Sequence, residues 1–249
     1  MKHLILMYDL ARYRDAVLKL IKTKNTNLAI VINPNSGPFS ADVKEWCAFI
    51  ADAVAANAAR PKPLLIQWFG YVDTMPQKGD VMKEPGAFVA ECRAYQRDYR
   101  VTVGKSSKAR VIVVNNIFVD DCFADGPHAP RVKEIVAAAG QSVSVQGTQR
   151  ILSLGTFVRG VLMVNPGEAL RPDHWQWNAA AFVVCFEGNK PELRNKIGPD
   201  PKKASAVMIA SATDGEEAAK LWQAGQRYLA ALAITQRLDY QMPPEWWGR

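Results

Sequence analysis

The chain has 249 residues, 49% of them apolar and 22% charged, with a formal net charge of +7. This is an ordinary globular composition, and the length suits an α/β barrel, which routinely fills about 250 residues as one domain. Four cysteines, at 47, 92, 122 and 185, form no C-x-x-C pair and no zinc spacing, which excludes a disulfide scaffold and a zinc module. The basic residues are dispersed. The densest stretches, Lys19 to Lys24 and Lys105 to Arg110, carry little aromatic interleaving, so the charge reads as a solvated surface and no nucleic-acid partner is expected. The apolar run Leu4 to Tyr8 stops at Asp9. It is too short for a signal core, and no stretch reaches the ~18 apolar residues of a membrane span. A cytoplasmic location, or export by a route other than a signal peptide, is the expectation, without a membrane partner.

Eight short apolar runs predict strands at about 3–8, 27–32, 63–71, 110–120, 160–165, 180–187, 205–210 and 228–235. Several are continuous in Val, Ile, Leu, Ala and Phe, as in Leu28 to Ile32 and Ala181 to Phe186. Continuous runs fit parallel strands covered on both faces. Helical stripes lie between them: Tyr13, Val17, Leu20 and Ile21, then Val43, Cys47, Ile50 and Val54. Asp214 is placed to cap a helix that carries Glu216 and Glu217 in its first turn. Residues 74–87 read as a long loop, and residues 140–156 give no clear signal. The alternation predicts an α/β fold, a single (β/α)8 TIM-type barrel domain over residues 1–249.

In such a barrel the chemistry sits at the C-terminal ends of the strands. The polar residues that follow the runs are Asp9, Asn33, Tyr71 with Asp73, Asp120 with Asp121, Asn165, Glu187, Ser211, and Thr235 with Gln236. Asn33-Pro34-Asn35-Ser36-Gly37-Pro38 is turn chemistry, and it lacks the Lys-Ser/Thr of a phosphate loop. Asp120, Asp121 and Glu187 end apolar strands, where acids are costly to bury unless paired, capping or functional. Side chains alternate along a strand, so Asp120 and Asp121 should point different ways and at most one should face Glu187. Paired carboxyls are the machinery of glycoside hydrolysis. Trp175 and Trp177 offer aromatic faces for sugar rings, or packing at the barrel rim. His3, His128 and His174 have no metal-ligand spacing, and no cofactor or metal is expected.

These corners together resemble the spherulin-4-like proteins, spherulation-specific family 4. The matching segments are Ile30 to Pro38, Gly70-Tyr71-Val72-Asp73-Thr74, Ile117 to Asp121, Val164-Asn165-Pro166-Gly167, Phe186-Glu187, and a Tyr240-x-x-Pro243-x-x-Trp246 ending. The resemblance implies a (β/α)8 barrel. It also implies kinship with hydrolases that cut α-1,4-linked galactosamine or N-acetylgalactosamine polymers of microbial exopolysaccharide. It carries the essential acids to Asp120 and Glu187, with Asp121 as neighbour. This chain has Asp121 where the family usually has Glu, Phe39 where it usually has Gly, and no acid in Asn178 to Ala181 before the sixth strand.

Two readings follow. In the first, the protein is a glycoside hydrolase acting on amino-sugar polysaccharide or oligosaccharide. Glu187 is then general acid/base and Asp120 nucleophile or electrostatic stabiliser, while Asp9, Asn33, Ser36, Tyr71, Asp73, Asn165, Trp175 and Trp177 contact substrate. A basic protein is expected to prefer the neutral, N-acetylated polymer. In the second, the same barrel binds carbohydrate or a partner without catalysis. Geometry separates them: whether a carboxyl of Asp120 or Asp121 faces Glu187 at hydrolase distance.

Overall fold

The computed structural model describes residues 1–75, 82–104, 109–122, 130–132, 134–135, 143–146, 149–153, 159–166, 182–189, 206–212, 214–226 and 229–235. Among these, eight parallel strands close a barrel in sequence order: β1 (Lys2–Met7), β2 (Leu28–Ile32), β3 (Ile66–Asp73), β4 (Asn116–Asp120), β5 (Leu162–Val164), β6 (Phe182–Asn189), β7 (Ala206–Ser211) and β8 (Ala231–Thr235). β8 returns to β1, with Lys2 opposite Ala231 and His3 opposite Leu232. Helices α1 (Leu10–Thr23), α2 (Val43–Ala58), α3 (Pro85–Asp98) and α4 (Gly215–Gly225) accompany them.

Strand alternation divides the apolar residues between two cores. Leu4, Leu6, Ala29, Val31, Phe69, Tyr71, Phe118, Met163, Val184, Val207, Ile209, Ala231 and Ala233 fill the barrel interior. Their neighbours Ile5, Met7, Leu28, Ile30, Ile32, Trp68, Val72, Ile117 and Val119 pack outward against the helices. Both faces are dry, so both rows of each strand must be apolar, and the runs read as continuous. Trp68 belongs to this outer core.

The helices follow the same logic. The expected α1 stripe, Tyr13, Val17, Leu20 and Ile21, is its buried face. Asp9 caps α1 by accepting from Arg12 N, and Asp214 caps α4 by accepting from the amides of Glu216 and Glu217. On α2 the stripe is rotated from expectation. Trp46, Phe49, Ile50 and Ala53 are buried, while Cys47 and Val54 lie at the margin. The two aromatics have more area to bury than Cys47 and Val54, and so take the inner face.

Three segments correct the sequence reading. The expected strand 110–120 is two strands. Arg110–Val113 leaves the barrel to pair antiparallel with Arg100–Val103, and only Asn116–Asp120 joins the barrel. The break is polar: Asn116 Nδ2 donates to Trp68 O, and its Oδ1 accepts from Val161 N, so this side chain ties β4 to its neighbours. The loop expected over 74–87 yields to α3 at Pro85, a first-turn position where proline's missing N–H costs nothing. The unplaced stretch holds antiparallel strands at Val143–Gln146 and Gln149–Ser153, and the second pairs with Arg159–Gly160 beyond it.

All four cysteines are unpaired. Among the described residues no helix is long and apolar enough to cross a membrane.

Candidate functional site

The inward rows of β1 to β5 end at the same mouth. On β1, Leu4 and Leu6 lead to Tyr8; on β2, Ala29 and Val31 lead to Asn33; on β3, Phe69 and Tyr71 lead to Asp73; on β4, Phe118 leads to Asp120; on β5, Met163 leads to Asn165. Asp73 and Asp120 stand opposite each other in the β3–β4 register.

Glu187 reaches this mouth by a different route. With Phe182 and Val184 facing inward, strict alternation would turn Glu187 outward. The β6–β7 register shifts between Val184 and Phe186, which places Glu187 opposite the inward Ile209. Cys185 lies within this β-bulge, packs in the outer core and donates its thiol to Val207 O. Such bulges re-aim side chains, and here the extra residue turns an acid into the barrel.

Asn165 joins the two acids. Its Nδ2 donates to Asp120 Oδ1 at 2.7 Å and to Glu187 Oε2 at 2.8 Å. These near oxygens can therefore lie no farther apart than the two hydrogen bonds laid end to end. Asn165 is buried and its backbone is held on both sides, with its N–H on Val119 O and its carbonyl accepting from Cys122 N. The other Asp120 oxygen, Oδ2, accepts from the Tyr71 hydroxyl at 2.7 Å. Tyr71 stacks on Phe118 and meets Tyr8 edge-on.

The surroundings push Asp120 up to about 7: burial first, then the charge of Asp121, with Glu187 adding to it and the bonds from Tyr71 and Asn165 pulling the other way. Burial and nearby carboxylates push the Tyr71 phenol far above its ordinary range, so it remains a proton donor.

Asp121 takes a separate direction, as alternation requires. Its φ is 55°, a left-handed conformation at the strand's end, and its carboxyl meets that of Asp73. Burial, then the Asp73 charge, push Asp121 up to about 6, and the hydrogen bond between the two carboxyls adds to that rise. Asp73 is itself raised by burial, and its Oδ1 accepts from Met75 N. Thr74 closes the pair's base, its hydroxyl on Asp121 O.

The other expected site residues are placed as follows. Asn33 is buried at the end of β2. Its Oδ1 accepts from Ser36 N, and its Nδ2 has no hydrogen-bond partner among the described residues. Ser36 shapes this corner, where Asn35 and Ser36 both hold positive φ. Asp9 is engaged as the α1 cap and in an ion pair with Arg12. Trp175, Trp177 and Gln236 lie outside the described residues, as do the side chains of Ser211 and Thr235. Tyr8 escapes a reading confined to the residues after each run; the period-two row Leu4, Leu6, Tyr8 carries its signal. Among the described residues no group of three or more His, Cys, Asp or Glu side chains is arranged to hold a metal ion.

Sequence comparison adds to this geometry. The family model of spherulation-specific family 4 matches residues 11–249. The chain belongs to this family. No curated protein sequence matches it. Among solved structures it is similar to Sph3 of Aspergillus clavatus, determined in complex with GalNAc. The TM-score is 0.64 at 18% identity, over 99% of this chain and 94% of that one. At that identity the likeness speaks for the fold.

Proposed function

We propose that this family member is a retaining glycoside hydrolase of amino-sugar polysaccharide, of the α-1,4-linked N-acetylgalactosamine or galactosamine type. The observation that carries the reading is the Asn165 amide, which holds Asp120 and Glu187 together. Retaining enzymes keep their two carboxyls about 5–5.5 Å apart, whereas inverting enzymes leave about 6.5–9.5 Å for a water. Two hydrogen bonds from one nitrogen favour the shorter class. Family membership and the GalNAc bound to Sph3 support the substrate class.

In this reading Asp120 is the nucleophile. Both its oxygens already accept hydrogen bonds, from Tyr71 and Asn165, so donors are in place for its charge before substrate arrives. Glu187 gives a proton to the leaving glycosidic oxygen as Asp120 bonds to the anomeric carbon. Water then enters, Glu187 takes its proton, and the Asp120–sugar bond breaks. Asp121 and Asp73 form a separate hydrogen-bonded carboxyl pair beside the site and attack nothing.

The test is turnover on defined α-1,4-linked N-acetylgalactosamine oligomers. Glu187→Gln and Asp120→Asn should each lose at least about 10²-fold, the lower end for a positioned acid or base. If both variants keep the wild-type rate, the assignment fails. If the wild type binds the oligomer without cutting it, the barrel is a binding protein.

A further inference from the structure

Beside the acids, the β1 and β2 corners and the start of α2 enclose an open cleft of about 500 Å³. Its inner end is Tyr8, whose phenol meets that of Tyr71, the donor to Asp120. Tyr8 thus stands between the cleft and the carboxyl pair. Its rim carries Phe39, which is 64% exposed, the most exposed large apolar side chain among the described residues.

Phe39 does not stand on a loose loop. The corner before it is fixed by Asn33 Oδ1, which accepts from Ser36 N at 2.6 Å. The buried Tyr99 donates its hydroxyl to Pro38 O at 2.9 Å, directly beneath Phe39. Asn35 and Ser36 hold positive φ values of 104° and 56°, conformations that cost energy in residues other than glycine and persist only where the surroundings impose them. An aromatic face on a rigid base loses little ordering entropy when a ring stacks on it. The charged side chains lining the cleft, Asp9, Asp42 and Glu45, are all acids, which disfavours an anionic sugar.

We propose that this cleft is a saccharide subsite flanking the catalytic carboxyls, with Phe39 the platform for a neutral or ammonium-bearing sugar ring. The proposal rests on the hydrolase reading and adds a second ring position to it. A polymer cut at Asp120 and Glu187 must continue away from them, and this cleft is where Tyr8 hands it on. Phe39 then sets how affinity grows with substrate length.

Calorimetry on the full chain tests this with N-acetylgalactosamine oligomers of two and five units, for wild type at position 39, Phe39→Ala and Phe39→Trp, each carrying Glu187→Gln so that the oligomers are bound and not cut. The side chain is exposed, so neither substitution threatens the fold. Wild type should bind the longer oligomer more tightly by about 5-fold or more, as an aromatic stacking contact allows. Phe39→Ala should lose that gain while keeping the two-unit affinity, and Phe39→Trp should restore it. If Phe39→Ala keeps the gain, the subsite is overturned and the hydrolase reading stands. Equal binding of a uronic acid oligomer also overturns it. If wild type binds no oligomer, the hydrolase reading itself falls, and the subsite with it.

Discussion

Tyr71 donates its hydroxyl to Asp120 Oδ2 at 2.7 Å from the neighbouring strand, and its ring stacks on Phe118, the inward residue before Asp120. Tyr71→Phe keeps the stack and removes only the donor. The bond favours the ionised carboxylate, so its loss should move the acid limb of kcat/KM upward from about 7. Turnover at neutral pH should fall roughly 10-fold or more, since a hydrogen bond to a charged group is worth about 1.5–3 kcal/mol. An unshifted pH profile would contradict the placement of Asp120 as the ionised nucleophile.

Asp120 should also cost the fold stability. Its folded pKa of about 7 exceeds the ordinary 3.8, chiefly through burial. Between those values the folded state binds more protons than the unfolded one, so stability falls as pH rises through that window. Asp120→Asn removes the penalty and can still accept from Asn165. At pH 8 it should be more stable than wild type by about 1–3 kcal/mol, since each tenfold change in proton affinity between the two states is worth roughly 1.4 kcal/mol. That advantage should fade below about pH 4, where the wild-type carboxyl is protonated in both states. Melting curves at both pH values decide it, and a difference that ignores pH is the contrary result.

Asn165→Asp replaces a donor between two carboxyls with a third acid. Activity should drop by at least about 10²-fold, as expected when a positioned donor to developing charge is lost. The melting temperature should fall more at pH 8 than at pH 5, because the repulsion needs ionised groups. A variant that melts like wild type at pH 8 would show that the amide does not hold the acids together.

Gly70 tests how the mouth is braced from outside. A Cβ there would lie 2.4 Å from the buried Tyr95 ring, whose hydroxyl donates to Tyr71 O. Gly70→Ala should destabilise by about 1–3 kcal/mol, the usual cost of overpacking. Thermal melting reads this directly, and a neutral result would mean that α3 sits farther from β3.

Much of this was legible in the sequence, for a physical reason. Strands buried on both faces must be apolar throughout, so Leu28 to Ile32 and Ala181 to Phe186 announced themselves, and Asn33, Asp73, Asp120 and Asn165 stood out after the runs. The Asp214 cap and the α1 stripe follow local rules and held. What failed depends on partners distant in the chain. The 110–120 run reads as one strand because nothing local says that Arg110–Val113 pairs with Arg100–Val103. The β6 bulge has no composition of its own, so alternation alone would have turned Glu187 outward. The Asp73–Asp121 pair depends on a positive φ at a non-glycine residue, which sequence does not signal. Tyr8 needed the inward row to be followed past the end of its strand.

The claim at the centre is that Asp120 and Glu187 cut a glycosidic bond as a close, Asn165-bridged pair. Proton NMR of the first reducing ends released from an α-1,4-linked N-acetylgalactosamine oligomer tests it most directly, because the carboxyl separation sets the stereochemical outcome. The wild type should release the α anomer first, with mutarotation to β following. Initial release of the β anomer, or no release from an oligomer that binds, would contradict the account.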